Sequence, residues 1–226
     1  MSLMLASVNS LAEALLVQSH QVDIIDLKQP AQGALGALDC QTVAEIVAAL
    51  PPQTRISATI GDLPMQKDVV CKAVLDMAAT GVGFIKIGFF PGGDWPAVIA
   101  GLSAIASQGY PLIAVLFADT QPDFAIIETL ADAGFYGVML DTMDKRHGSL
   151  RHWLNHEELQ DFVEKTDECG LLSGLAGSLA ADDIAALLPL QADYLGFRGA
   201  LCSKSERTAG LDEAQIAEIR RLLQDE

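Results

Sequence analysis

Apolar residues recur along the chain in short bursts, each followed by a longer stretch with apolar positions three and four apart. Eight bursts read as strands: LMLASV (3–8), VDIIDLK (22–28), RISATIG (55–61), FIKIGFF (84–90), PLIAVLFA (111–118), YGVMLDT (136–142), LLSGLAG (171–177) and DYLGFRGA (193–200). Short runs rich in branched side chains suit buried strands, whereas the wider spacing marks one face of a helix. The helical stretches are SLAEALLVQ, TVAEIVAAL, DVVCKAVLDMAA, WPAVIAGLSAIA, DFAIIETLADA, HEELQDFVEKT, DDIAALLPL and EAQIAEIRRLL. Asn9-Ser10 is placed to open the first helix, and Gly81, Gly109, Gly134 and Gly170 to close later ones. No Pro/Ser-rich linker or shift of composition interrupts the series, so one α/β domain is expected over residues 1–226.

Alternating units of this kind build either an open doubly wound sheet or a closed (β/α)8 barrel. The first strand-to-helix turn, SVNSLAEA, lacks the Gly-x-Gly-x-x-Gly of a dinucleotide fold. Polar residues gather instead at the C-terminal ends of many strands: Asp26, Lys28, Asp62, Lys86, Asp119, Asp141, Ser178 and Arg198. A TIM barrel collects all of these at one mouth, so that is the predicted fold.

Two lysines stand out because lysine is rarely buried without a partner or a task. In DIIDLKQP, Asp26 and Lys28 share a strand face opposite Ile25 and Leu27; in GFIKIGFF, Lys86 shares a face with Phe84 and Gly88, opposite Ile85, Ile87 and Phe89. With the isoleucine faces against the helices, both lysines point into the barrel from alternate strands and can share a layer. Two ammonium groups in a confined, dry site disfavour each other's charge, which predicts at least one partly neutral amine near pH 7. Such an amine can attack a carbonyl or accept a proton, with Asp26 moving protons nearby. The competing reading is structural: each lysine is an interior charge paired to Asp26, Asp119 or Asp141.

Two further segments suggest anion binding. Gly177-Ser178 ends the seventh strand and Arg198-Gly199 the eighth, the usual place for a barrel phosphate site, with Arg198 supplying charge; glycines serving tight packing are the alternative. In the loop MLDTMDKRHGSL, Asp141 sits at the strand end, and Lys145 is open to two readings, a second phosphate contact or a solvated loop charge. His152 and His156 have a metal-ligand spacing but no third ligand, and read as exposed residues at a helix start. No metal site is expected.

Net charge is −16, from 30 acidic and 14 basic residues, which argues against nucleic acid as a partner. No apolar run is long enough to span a bilayer and the N-terminus does not read as a signal peptide, so a cytoplasmic location without membrane association is expected. Cys40, Cys71, Cys169 and Cys202 are scattered and read as reduced, mostly buried thiols. The Ile- and Leu-rich helix faces serve barrel packing or a subunit contact, and a homo-oligomer is expected.

The segments DIIDLKQPAQGALGA, ISATIGDLP, FIKIGFF, MLDTMDK, LAGSL and GFRGALC, in this order, resemble those of the (5-formylfuran-3-yl)methyl phosphate synthase family, which makes the furan precursor of methanofuran in methanogens and has relatives in methylotrophic bacteria. The resemblance implies a lyase that condenses two molecules of D-glyceraldehyde 3-phosphate with loss of one phosphate and two waters. By matching motif, Lys28 looks like the Schiff-base lysine and Lys86 the proton acceptor, with Asp26, Asp141 and Lys145 as supporting catalytic or phosphate-binding groups. That chemistry requires no metal or organic cofactor. Three other readings remain: a class I aldolase acting on a phosphorylated sugar, a non-catalytic barrel that binds phosphometabolites, and a phosphate-binding isomerase, which would not require an inward Lys28 as nucleophile.

Overall fold

The computed structural model describes residues 2–224; residues 1, 225 and 226 of the expected domain lie outside them. Eight parallel strands close on themselves in sequence order: β1 (Leu3–Val8), β2 (Ile24–Leu27), β3 (Arg55–Thr59), β4 (Phe84–Gly88), β5 (Leu112–Phe117), β6 (Gly137–Asp141), β7 (Leu172–Leu175) and β8 (Tyr194–Phe197), with β8 pairing back to β1 through Leu3↔Tyr194 and its neighbours. The predicted (β/α)8 barrel is therefore present, and each strand lies within the burst that predicted it.

The helices are α1 (Leu11–Ser19), α2 (Cys40–Ala49), α3 (Lys67–Ala78), α4 (Trp95–Ala106), α5 (Ile126–Asp132), α6 (Leu150–Trp153), α7 (His156–Glu168), α8 (Ala181–Leu187) and α9 (Glu213–Gln224). Ser10 caps α1 by accepting the Glu13 N–H, and Asn155 with Glu158 forms a reciprocal capping box on α7. Gly81, Gly109, Gly134 and Gly170 all take positive φ just beyond helix ends, where a side chain would be strained. The short α6 was not expected. It arises because Leu150 and Leu154 are buried at the end of an otherwise polar loop and pull that segment onto the barrel wall.

Strand parity sorts the core into two compartments. Ile25, Leu27, Ile85, Ile87 and Phe89 face outward and pack with Val43, Ile46, Val74, Leu102 and Phe162 of the helices. Burying each such side chain contributes about 1.5–3 kcal/mol, so this shell carries most of the fold's hydrophobic stabilisation. Inside the barrel, Leu5, Ile24, Leu35, Ile113, Val115, Phe117, Met139 and Tyr194 form a separate cluster. The inward residues at the N-terminal strand ends are largely apolar, and polarity rises toward the C-terminal ends.

Four cysteines are free, but only Cys202 is buried; Cys40 is exposed at the start of α2 and Cys71 and Cys169 are half-buried. The expectation of mostly buried thiols is thus corrected: Cys40 immediately follows the capping Asp39, on the solvent side of the helix entry. His152 and His156 fall on separate helices and are exposed, as their helix-start reading required. Among the described residues, no group of His, Cys, Asp or Glu could hold a metal ion, and no helix is long and apolar enough to cross a membrane.

Candidate active site at the barrel mouth

Two carboxylates organise the charged layer. Asp26, fully buried in β2, stands in register with Ser7 of β1 and Ser57 of β3. Both hydroxyls donate to it, at 2.9 and 2.7 Å, and the Lys86 ammonium donates at 3.0 Å. Burial opposes the Asp26 charge, but the Lys86 and Lys28 ammonium groups outweigh it and hold the carboxyl below its usual range. Lys86 is pushed the other way: burial lowers its basicity, with the nearby Lys28 charge adding to the effect. The expected weakening of one amine is therefore present at Lys86.

Asp141 ends β6. Its Oδ1 accepts the Thr142 N–H at 2.8 Å and the Lys145 ammonium, while Oδ2 accepts Lys28 at 3.4 Å. Although Lys28 lies one residue past β2, its N–H donates to the Val8 carbonyl at 2.9 Å, which extends the ladder and keeps the side chain inward. Lys145 is not a solvated loop charge. Its side chain is 11% exposed, and burial brings its pKa down to about 8 against the pull of Asp141. Those two amines hold the Asp141 carboxyl far below its ordinary value.

The other strand-end acids act on loops. Asp62 accepts the N–H groups of Ala34 and Leu35 at 2.8 and 2.7 Å, and Asp119 those of Met143 and Asp144 at 2.9 and 2.7 Å. Both loops lie beside the mouth, so these carboxylates fix its rim. Gly33 has φ +119°, and a Cβ there would lie 2.1 Å from the Asp62 carboxylate; only glycine lets the loop wrap that closely.

A cavity of about 200 Å³ opens at this end. Lys28, Lys86, Asp141, Lys145, Gly177, Ser178, Arg198 and Gly199 all line it, and Asp26 lies beneath, holding Lys86. The N–H groups of Gly177, Ser178 and Gly199 find no acceptor among the described residues. Ser178 takes a left-handed φ of +49°, a conformation that clusters at ligand sites.

Arg198 departs from its expected task. Its guanidinium has five N–H donors, and all five are occupied: the Glu13 carboxylate takes two, and the carbonyls of Ser7, Arg207 and Ala209 take one each. A buried arginine so satisfied has nothing left to offer an anion, which corrects its placement as the phosphate-binding charge. Sequence reasoning also passed over Ser7, Ser57, Glu13 and Arg207. Serines within buried strands were a usable signal for the first two. Glu13 and Arg207 reach Arg198 only through folding.

A second cavity, of about 220 Å³, opens at the N-terminal face between Leu3, Ile24, Phe84, Ile113, Leu172 and Tyr194. Leu5 and Lys86 line both cavities.

A closed parallel barrel with amines and carboxylates converging at the C-terminal ends of its strands has the plan of a (β/α)8-barrel enzyme. Solved structures of that fold match throughout: 3-hexulose-6-phosphate synthase from Salmonella typhimurium has a TM-score of 0.71 at 14% identity, covering 98% of each chain. Phosphoribosyl anthranilate isomerase from Thermus thermophilus has a TM-score of 0.68 at 14% identity, covering 99% of this chain and 98% of its own. These likenesses concern the fold alone.

The chain belongs to the 4-HFC-P synthase family, whose model matches residues 4–220. A Methylorubrum extorquens relative, provisionally named (5-formylfuran-3-yl)methyl phosphate synthase, is 41% identical over 95% of this chain and 89% of its own length. The (5-formylfuran-3-yl)methyl phosphate synthases of Methanopyrus kandleri and Methanococcus aeolicus are 33% and 32% identical, over 93% and 96% of this chain and 92% and 97% of theirs. The resemblance read from the motifs is therefore the family of the chain, and the protein is an enzyme.

Proposed function

We propose that this enzyme condenses two molecules of D-glyceraldehyde 3-phosphate into (5-formylfuran-3-yl)methyl phosphate, releasing one phosphate and two waters, as a step toward methanofuran. The observation that carries the reading is the convergence of Lys28 and Lys86, from alternate strands, on one cavity, each beside a carboxylate.

The Lys28 amine attacks the aldehyde carbon of one triose phosphate, and loss of water gives an iminium. That cation acidifies the adjacent C–H. Lys86, whose weakened basicity favours a neutral form, removes the proton, and the phosphate on the next carbon leaves with the C–O bonding pair. Elimination leaves a conjugated iminium, electrophilic at its terminal carbon, and the C2 carbanion of the second triose phosphate, formed by loss of its own α-proton, adds there. Ring closure by a hydroxyl, dehydration and hydrolytic release of Lys28 complete the furan. Asp26 holds the proton-accepting lysine in place, and Asp141 orients Lys28 and Lys145. Open backbone N–H groups at the ends of β7 and β8, with Lys145, suit phosphate oxygens and concentrate positive charge in an otherwise acidic protein.

Borohydride trapping with glyceraldehyde 3-phosphate, followed by intact mass and peptide mapping, tests this directly. An adduct on the Lys28 peptide, absent in Lys28→Ala, with a furan-aldehyde chromophore accumulating in untrapped reactions, is the expected result. Saturable binding without an adduct would remove Lys28 as nucleophile. An adduct without a chromophore would leave an aldolase.

A further inference from the structure

Two arginines follow β8, and their surroundings divide one task between them. Arg198 sits beneath the segment 202–211, whose ends close on each other through an antiparallel bridge between Cys202 and Leu211 and a hydrogen bond from Ser203 N–H to the Gly210 carbonyl at 3.1 Å. Its Nε–H donates to the Arg207 carbonyl at 2.8 Å and one NH2 hydrogen to the Ala209 carbonyl at 2.9 Å. The rest of the guanidinium grips Glu13 of α1, at 2.5 and 3.2 Å, and the Ser7 carbonyl at 3.1 Å. A planar group with all donors fixed makes a rigid strut between β1, α1 and this loop.

Arg207 is what the strut presents. Its half-buried side chain lines the mouth cavity with Lys145, Ser178 and Gly199. One NH2 hydrogen bonds the Gly33 carbonyl across the mouth at 2.9 Å, and that carbonyl belongs to the turn wrapped on Asp62. The guanidinium is thus steered from both sides: its backbone by Arg198, its tip by Gly33. Unlike Arg198, it makes no ion pair among the described residues. Unlike Lys145, it has no carboxylate bonded to it. Beside it, Lys204 and Ser205 hold left-handed φ of +57°, strain of the kind found at ligand sites.

We infer that Arg207 is the principal phosphate-binding cation of the mouth, taking a phosphate monoester oxygen pair, and that Arg198 is the positioning residue holding it there. The inference names a group for the phosphate end of the substrate and to that extent rests on the proposed function.

The test uses inorganic phosphate as well as substrate, so that the two claims can fail separately. Phosphate binding to the intact enzyme is measured by calorimetry for wild type, Arg207→Gln and Arg207→Lys, with urea unfolding as a check on folding. Arg207→Gln is expected to weaken phosphate binding by about 10- to 100-fold, as loss of a charge-assisted pair implies, with Arg207→Lys recovering part of it. It should raise KM for glyceraldehyde 3-phosphate. Imine trapping with unphosphorylated glyceraldehyde should proceed as in wild type.

Arg198→Lys should lower the unfolding midpoint and phosphate affinity together, because the strut loses two of its donors. Unchanged phosphate affinity in a folded Arg207→Gln protein would overturn the assignment. A parallel loss of trapping with unphosphorylated glyceraldehyde would also overturn it, by making Arg207 a general structural element. If phosphate affinity depends on Arg207 but no enzyme variant forms an imine, the phosphate site stands and the Schiff-base reading falls.

Discussion

Asp26 and Asp141 are the same side chain used in opposite ways. Around Asp26 two hydroxyls and one ammonium close a sealed, charge-balanced cage, with the carboxylate wholly out of contact with solvent. Around Asp141 one carboxylate serves two ammonium groups, and the longer contact, 3.4 Å, is the one to Lys28. The first arrangement fixes a position. The second leaves a surplus positive charge facing the cavity, with Lys28 held by the longer of the two contacts. What the contrast teaches is that two buried carboxylates of one layer can differ in how many cations each must balance, one at Asp26 and two at Asp141. Three ammonium groups on two carboxylates cannot all be well paired in a dry mouth, so the cluster sheds a proton readily.

Removing the amine on the longer contact should produce the largest effect: Lys28→Ala is expected to lower kcat by about four orders of magnitude or more and to abolish borohydride trapping, measured by mass spectrometry. Replacing the caged amine separates the two sites. Lys86→Met should keep trapping at Lys28 yet lower kcat by about 10²–10⁴-fold, the usual worth of a general base; loss of trapping as well would mean that the cage serves imine formation too. Emptying the cage from the other side, Asp26→Asn leaves a buried ammonium without its carboxylate and should cost about 3–5 kcal/mol in urea unfolding. Asp141→Asn should cost less, because its amines can reach solvent through the mouth.

The smallest effect is in pH. Lys145 is an ammonium below about 8 and an amine above it, so KM for the phosphorylated substrate should rise severalfold as pH passes upward through about 8. A Lys145→Arg variant, charged throughout this range, should flatten that rise; an unchanged profile in the variant would assign the titration to another group.

The fold was legible because strand parity and helical spacing are written locally. The two faces of GFIKIGFF alone say which residues meet the helices and which meet the lumen, and the structure places Ile85 and Ile87 outside and Lys86 within. The lysine–aspartate layer was legible for the same reason. Lys145 was ambiguous because its direction depends on Asp119 pinning the loop that carries it, a bond across 25 residues that leaves no local pattern. Arg198 was misplaced for a related cause. Its position at a strand end was read correctly, but its partner Glu13 is 185 residues away in sequence, and an arginine's task is decided by who has already taken its donors. Ser7 and Ser57 were overlooked because a hydroxyl in a strand looks neutral until its register with Asp26 is known.

Leu5 and Lys86, which line both cavities, form a septum about one side chain thick between the two ends of the barrel. The lumen is therefore two chambers back to back, and the Lys86 side chain borders both of them. Trimming Leu5 to alanine should join the chambers and let water reach the Lys86 amine from both ends of the barrel.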